Sequence, residues 1–237
     1  MSEGRSGGPA IWLAVETATA SGSVALWKEG LAVELTLRVH GSGAERLLPA
    51  IEQVLESTGT RPEEVTSFIV GSGPGSFTGV RIAASMAKGW AMARRTELFA
   101  YPSLLAVAAG WPAGGPVCSL FDARRGQVYA ACYEVSDVGL QEHLPPGAWK
   151  VEALVAELDS RGLSPVFAGE GALVYAKEIG TAVAGATILP AHLAVPRAAS
   201  LLWLRQLAPD LGRVAKPQDW EPTYVRDWKV QEGRGKR

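Results

Sequence analysis

Apolar and polar positions alternate between two periods along this chain. Residues 10–18 (AIWLAVETA) form a nearly continuous apolar run, followed by a Thr/Ser turn and by the runs 22–30 and 31–39. Three β-type runs joined by short polar turns predict an antiparallel meander. The stretch GAERLLPAIEQVLEST then changes period: Leu47, Leu48, Ile51, Val54 and Leu55 fall within an arc of roughly 120°, which predicts an amphipathic helix. Pro49 suits a first turn better than an interior, so this helix has an ambiguous start. A strand over 66–71, a glycine-rich turn, a helix over 78–95 and a strand ELFAYP follow.

The second half opens near residue 104 with a short helix, broken between Trp111 and Pro116. PVCSLFDARRGQVYAACYEV then reads as strand, turn, strand. Its plan repeats that of AIWLAVETATASGSVALWKEG about 105 residues earlier: an apolar strand ending in an acid, a polar turn and a returning strand. Beyond it the pattern predicts a helix (149–161), a strand (164–168), the turn Gly169-Glu170-Gly171, a helix to Gly180, a short strand (187–190) and a helix (196–207). Two lobes, each led by a meander and continued by alternating helices and strands, fit the actin-like ATPase (ASKHA) α/β architecture. The expected division is a first lobe over 9–103, joined by the extended segment 208–228, and a second lobe over 104–207. Residues 1–8 and 229–237 read as disordered tails.

Composition narrows the function. The chain has 237 residues, 47% hydrophobic, with 23 basic against 24 acidic side chains and a net charge of −1. Such a balance lacks the basic patch with which a free nucleic-acid binder neutralises phosphates. Cys118 and Cys132 lie in apolar runs outside any CxxC spacing and read as reduced core thiols. MSEGRSGGPA has no apolar targeting segment, and no run approaches the roughly 20 residues that span a bilayer. A cytoplasmic protein without membrane contact is expected.

The stretch VGSGPGSFTGVRIAASMAKG (70–89) has the look of a phosphate site: strand, glycine turn, helix. A phosphate-binding P-loop requires a lysine after its last glycine, and here Val80-Arg81 follow Gly79. The spacing Gly73-x-Gly75-x-x-x-Gly79 is one residue too long for a dinucleotide fingerprint, and Glu97 starts its strand rather than ending it. The nucleophile-elbow spacing is missing as well. The helix itself carries a narrow polar stripe (Arg81, Ser85, Lys88, Arg95), with apolar or small residues over roughly 200° of the rest, twice what one core needs. A small-residue column (Gly79, Ala83, Ala87, Ala91) lies beside Ile82, Met86 and Trp90. Either the helix is buried all round in its own fold, or one face meets a partner helix.

The acidic turns depart from those of an active actin-like phosphotransferase, in which one lobe supplies an Asp for Mg²⁺. The first turn has Glu16 instead, without the usual glycine after it; the second, Asp122-Ala123-Arg124-Arg125-Gly126, fills its bend with two arginines. His40, His143 and His192 form no H-x-x-x-H pair for a metal.

Together GPGSFTGVRIAASMAKGWA, AVETATASGSVAL, ERLLPAIEQVL, DARRGQVYAACYE and EPTYVRD resemble the TsaB family, over about residues 10–227. The departures are Glu16, where that family often has Asp, and a lengthened His40–Glu45 loop. The resemblance implies a non-catalytic scaffold subunit that makes a heterodimer with TsaD and enables TsaE to dock. The complex transfers threonylcarbamoyl from its adenylate to A37 of ANN-decoding tRNAs, giving N6-threonylcarbamoyladenosine (t6A). It implies contact with tRNA only through the complex, a homodimer when TsaD is absent, no tightly bound cofactor or metal in this chain, and ATP/ADP and a metal in the partner subunits. The residues expected at the partner interface are Gly79, Val80, Ile82, Ala83, Met86, Ala87 and Trp90. The alternative is a stand-alone actin-like phosphotransferase or acyltransferase with a degenerate cleft.

Overall fold

The computed structural model describes residues 10–38 and 43–225. The sequence-predicted terminal tails and most of the loop before the first helix lie outside them. The meander forms as β1 (Ile11–Glu16), β2 (Ser21–Lys28) and β3 (Leu31–Arg38), followed by α1 (Gly43–Ser57), β4 (Ser67–Gly71), α2 (Phe77–Arg94) and β5 (Glu97–Tyr101). Strand order in this sheet is β3-β2-β1-β4-β5, with β1 antiparallel to β2 and parallel to β4. Pro49 sits inside α1 rather than in its first turn.

After α3 (Ser103–Ala108), the second half builds β6 (Pro116–Arg124), β7 (Gln127–Ser136), β8 (Gly139–Trp149), α4 (Val151–Ser160) and β9 (Val166–Ala168). This sheet is ordered β8-β7-β6-β9, with β6 antiparallel to β7 and parallel to β9. The repeat read in the sequence is thus a repeat of topology: β6, β7, β8 and β9 take the places of β1, β2, β3 and β4. The fold is an actin-like α/β fold.

Strand β8 has no counterpart in the sequence pattern. Its Pro145-Pro146 pair argues against a strand, because proline cannot donate to a ladder. The pair is accommodated because β8 is an edge strand and bulges there: Ala130 pairs with Gly147 and Cys132 with Leu144, leaving both prolines opposite Ala131.

Three apolar clusters hold the molecule. Alternate residues of β1 explain why its run is nearly continuous, since both faces of the strand are covered. Leu13 and Val15 point to the cluster under α1 and α2, which also holds Leu47, Ile51, Val54, Phe68, Ala83 and Ala87. Ala14 points the other way, to a cluster shared by both sheets with α3 and α7 (Ala198–Leu207). Helix α7 lies in the span expected as the second lobe, yet it packs along β1, β2 and β4 of the first sheet. Leu201, Leu202 and Leu204 are fully buried there. The third cluster joins β6, β7 and α4 with α5 (Glu170–Val174) and α6 (Ala176–Ala182) and includes Cys118 and Cys132, directly opposite on β6 and β7. Burial pushes both thiols up, that of Cys132 to about 12, so neither is a reactive thiolate.

After the short helix α8 (Pro209–Gly212) the chain returns to the first sheet. Val214 donates its N–H to Leu98 O at 3.0 Å, Arg213 pairs with Glu97 at 3.0 Å, and Thr223 N–H reaches Ser72 O at 2.8 Å. The aromatic tail therefore packs beside α2: Lys88 pairs with Glu221 at 2.8 Å, and Arg81 donates to the Tyr224 hydroxyl at 3.1 Å. Among the described residues no helix is long and apolar enough to cross a membrane.

Candidate functional site: a cleft between two hairpin turns and the helix behind it

The glycine turn is shaped by the turn beside it. Ser76 N–H donates to Ala18 O at 2.6 Å, and the Thr17 hydroxyl donates to Gly79 O at 2.8 Å. A Cβ on Gly75 would overlap Ala18, and one on Gly79 would strike the Thr17 carbonyl. Gly75, at φ +157°, and Gly79 are therefore small because the β1–β2 turn occupies the space of their side chains. Ser76 caps α2 by accepting from Gly79 N–H at 3.3 Å, which fixes where the helix starts. The turn holds a helix against a hairpin.

Glu16, the acid read in the sequence as a departure from an active phosphotransferase turn, is sealed inside. It is fully buried, with Oε1 accepting from Ala18 N–H at 2.7 Å and from the Ser103 hydroxyl at 3.2 Å. Its Oε2 has no hydrogen-bond partner and lies against Gly71, where any Cβ would collide with it. Removal from water pushes this carboxyl up to about 7.

A cleft of about 580 Å³ separates the two hairpin turns, lined on one side by Ala18–Ala20 and Gly75–Thr78 and on the other by Asp122–Arg124, Tyr129 and Glu170. Asp122 Oδ1 accepts from Arg124 N–H at 2.8 Å and from the Tyr175 hydroxyl at 3.1 Å, so this oxygen is tied to its own turn and to the end of α5. Arg124 and Arg125 both take left-handed backbone (φ 62° and 56°), an uncommon conformation for side chains of this size. On the floor, Gly169 and Gly171 lie against the Leu120–Asp122 backbone, leaving no room for a Cβ. Burial, then the neighbouring Asp122, raises the Glu170 carboxyl. Three acids at the two turns are thus either buried, engaged or raised. Among the described residues no group of three or more His, Cys, Asp or Glu is placed to hold a metal.

The interface residues expected from the sequence fall into two sets, and one expectation is corrected. Gly79, Val80, Ala83 and Ala87 are buried in the chain's own core, Ala83 and Ala87 completely, so the small-residue column does not face outward. It lets α2 sit close on β4 and beside α1. Ile82, Met86 and Trp90 are half-buried, packing under the same cluster while keeping an edge in solvent. Reading small residues as an external column missed a second one. Ser85, Gly89 and Ala93, also spaced by four, are exposed, and the space around Gly89 is open. Phe77 and Met92 of the same helix are exposed as well. Burial of the alanine column could have been foreseen from the roughly 100° stripe that one sheet demands; which column faces the sheet depends on where Ser76 starts the helix.

This topology and site can be set beside known proteins. Residues 34–227 match the family model described as TsaD: tRNA N6-adenosine threonylcarbamoyltransferase. The tRNA threonylcarbamoyladenosine biosynthesis protein TsaB of Escherichia coli (strain K12) is 37% identical over 134 residues, 54% of this chain and 57% of that protein. The protein of the same name from Bacillus subtilis (strain 168) is 34% identical over 136 residues, 56% of this chain and 59% of its own length. The chain thus spans somewhat over half the length of these curated relatives. Among solved structures, YeaZ from Pseudomonas aeruginosa superposes with a TM-score of 0.77 at 28% identity, covering 91% of this chain and 99% of the other. A further Pseudomonas aeruginosa structure, described as similar to peptidase YEAZ, gives 0.78 at 28% identity over 92% of this chain and all of its own. The chain belongs to the family whose model is described as TsaD: tRNA N6-adenosine threonylcarbamoyltransferase, and the curated relatives it is similar to within that pathway carry the name TsaB.

Proposed function

We propose that this chain works in the biosynthesis of N6-threonylcarbamoyladenosine in tRNA as a non-catalytic subunit that pairs with a TsaD-type subunit. Its relatives are named for that pathway, and the family model it matches is described by the transferase itself. The observation that carries the non-catalytic part is the fate of Glu16. The acid that ends β1 lies under the glycine turn with no exposure, where no ligand in the cleft reaches it. A phosphotransferase needs that carboxylate ionised and open; here burial raises it to about 7 and closes it off from the cleft.

Pairing uses the outward face of α2, with Ser85, Gly89 and Ala93 allowing close approach of a partner helix and Met86 and Met92 filling the flanks. An exposed apolar strip beside small residues is the kind of surface that a second helix covers. Docking of a TsaE-type ATPase, contact with tRNA through the complex, and nucleotide and metal held by the partner subunits complete the reading, and a homodimer through the same face is its form without TsaD. The purified chain is expected to hydrolyse ATP no faster than a buffer blank. Turnover that disappears on Asp122→Asn would overturn the assignment in favour of an independent phosphotransferase.

A further inference from the structure

Glu16 joins three segments that are far apart in sequence. Its Oε1 is tied to the β1–β2 turn through Ala18 N–H and to the start of α3 through the Ser103 hydroxyl. Ser103 in turn clamps the glycine turn from both sides: its Oγ accepts from Gly73 N–H at 3.2 Å, and its own N–H donates to Gly73 O at 2.8 Å. Gly71 closes over the remaining oxygen. The groups packed against the carboxyl are Gly71 from β4, Ser103 from α3, Ser23 beside it on β2, and Thr17 and Ala18 of its own turn. None of them titrates in the physiological range. Arg197, just before α7, and Arg205 within it are engaged elsewhere: Arg197 with Glu34, and Arg205 with Glu97 and over the rings of Trp12 and Phe99. A carboxylate here has donors only from Ala18, Ser103 and the Thr17 backbone, an Oε2 without a hydrogen-bond partner, and no cation.

We propose that Glu16 is a proton-dependent latch: in its neutral form it holds the glycine turn, the β1–β2 turn and the start of α3 together, and loss of its proton loosens that junction. The protonated acid keeps Oε1 as a double acceptor and carries its hydrogen on Oε2. The ionised form leaves a buried charge with an unsolvated oxygen, which water reaches only if the junction opens.

The sign follows from linkage. Burial raises this carboxyl from 4.5 to about 7, so the closed junction binds the proton more tightly than the open one. Closure is most favourable below about pH 4.5, weakens as pH rises toward 7, and is constant above about 8. The latch concerns the chain alone and does not rest on the proposed pairing.

The test is amide hydrogen exchange of the isolated full chain at Ala18, Gly73 and Ser76, with intrinsic rates factored out, in wild type and in Glu16→Gln. In wild type, protection at these amides is expected to fall by roughly 30- to 70-fold between pH 5 and pH 8 and then level off. In Glu16→Gln it is expected to stay flat. If that variant fails to fold, the carboxyl ¹³C resonance of Glu16 in the labelled wild type is expected to titrate near neutrality together with the Gly73 amide. Equal loss of protection in both proteins, flat protection in wild type, or a carboxyl that titrates in the ordinary range near 4.5 would each overturn the latch.

Discussion

Arginine in place of Ala87 is expected to prevent the chain from folding. Ala87 has no exposed surface and packs among Val54, Phe68 and Ala83 in the cluster beneath α1 and α2. The larger side chain overpacks that space, at a cost of about 1–3 kcal/mol. Its charge, buried without a partner, adds several kcal/mol more. Their sum is comparable with the whole stability of a typical domain, roughly 5–15 kcal/mol. Far-UV circular dichroism and a urea titration should show an unfolded or aggregated chain. A folded monomer with wild-type melting, the outcome an outward-facing alanine column requires, would mean that α2 is rotated from the orientation described.

Arginine in place of Gly89 is expected to do the opposite. Gly89 lies on the exposed side of the same helix with nothing near its missing Cβ. Replacing an exposed helical glycine gains up to about 1 kcal/mol of helix propensity, so the melting temperature should hold or rise. A long charged side chain there keeps a partner helix at a distance. Affinity for a TsaD-type subunit is expected to fall at least a hundredfold, about 2.7 kcal/mol. Gly180→Arg is the control, since Gly180 is also helical, exposed and unhindered, but lies in α6 on the other sheet. Its pairing should match wild type. Unchanged pairing by Gly89→Arg would move the partner surface off this face of α2.

These two variants mark how far the sequence could be read. The elements of the first sheet were legible because their periods are clean, and the repeat was legible because an apolar run leads to an acid, Glu16 or Asp122, and then to a returning strand in each half. Strand β8 was not, since Pro145 and Pro146 look forbidding until the edge position and the bulge opposite Ala131 are known. The position of α7 depends on long-range packing, as Leu201 and Leu204 fit a helix against either sheet. At the site, the sequence singled out α2 but took its buried alanine column for an outward face. Small residues look alike in a list, whether they admit the chain's own strand (Ala83, Ala87) or lie open (Ser85, Gly89). Glu16 was legible as an unusual acid, but its burial depends on Gly71 and Ser103, brought to it by the pairing of β1 with β4 and of β4 with β5.

The measurement closest to the central claim is reconstitution of threonylcarbamoyl transfer to tRNA from purified components. A TsaD-type subunit, a TsaE-type ATPase, ATP, threonylcarbamoyl-adenylate and an ANN-decoding tRNA are combined with this chain, without it, and with its Gly89→Arg or Asp122→Asn form. A non-catalytic partner predicts sustained formation of the modified base only when the chain is present. It predicts loss with Gly89→Arg, activity near wild type with Asp122→Asn, and no product from the chain and tRNA alone. Product formed equally well without the chain, or by the chain on its own, would contradict the account.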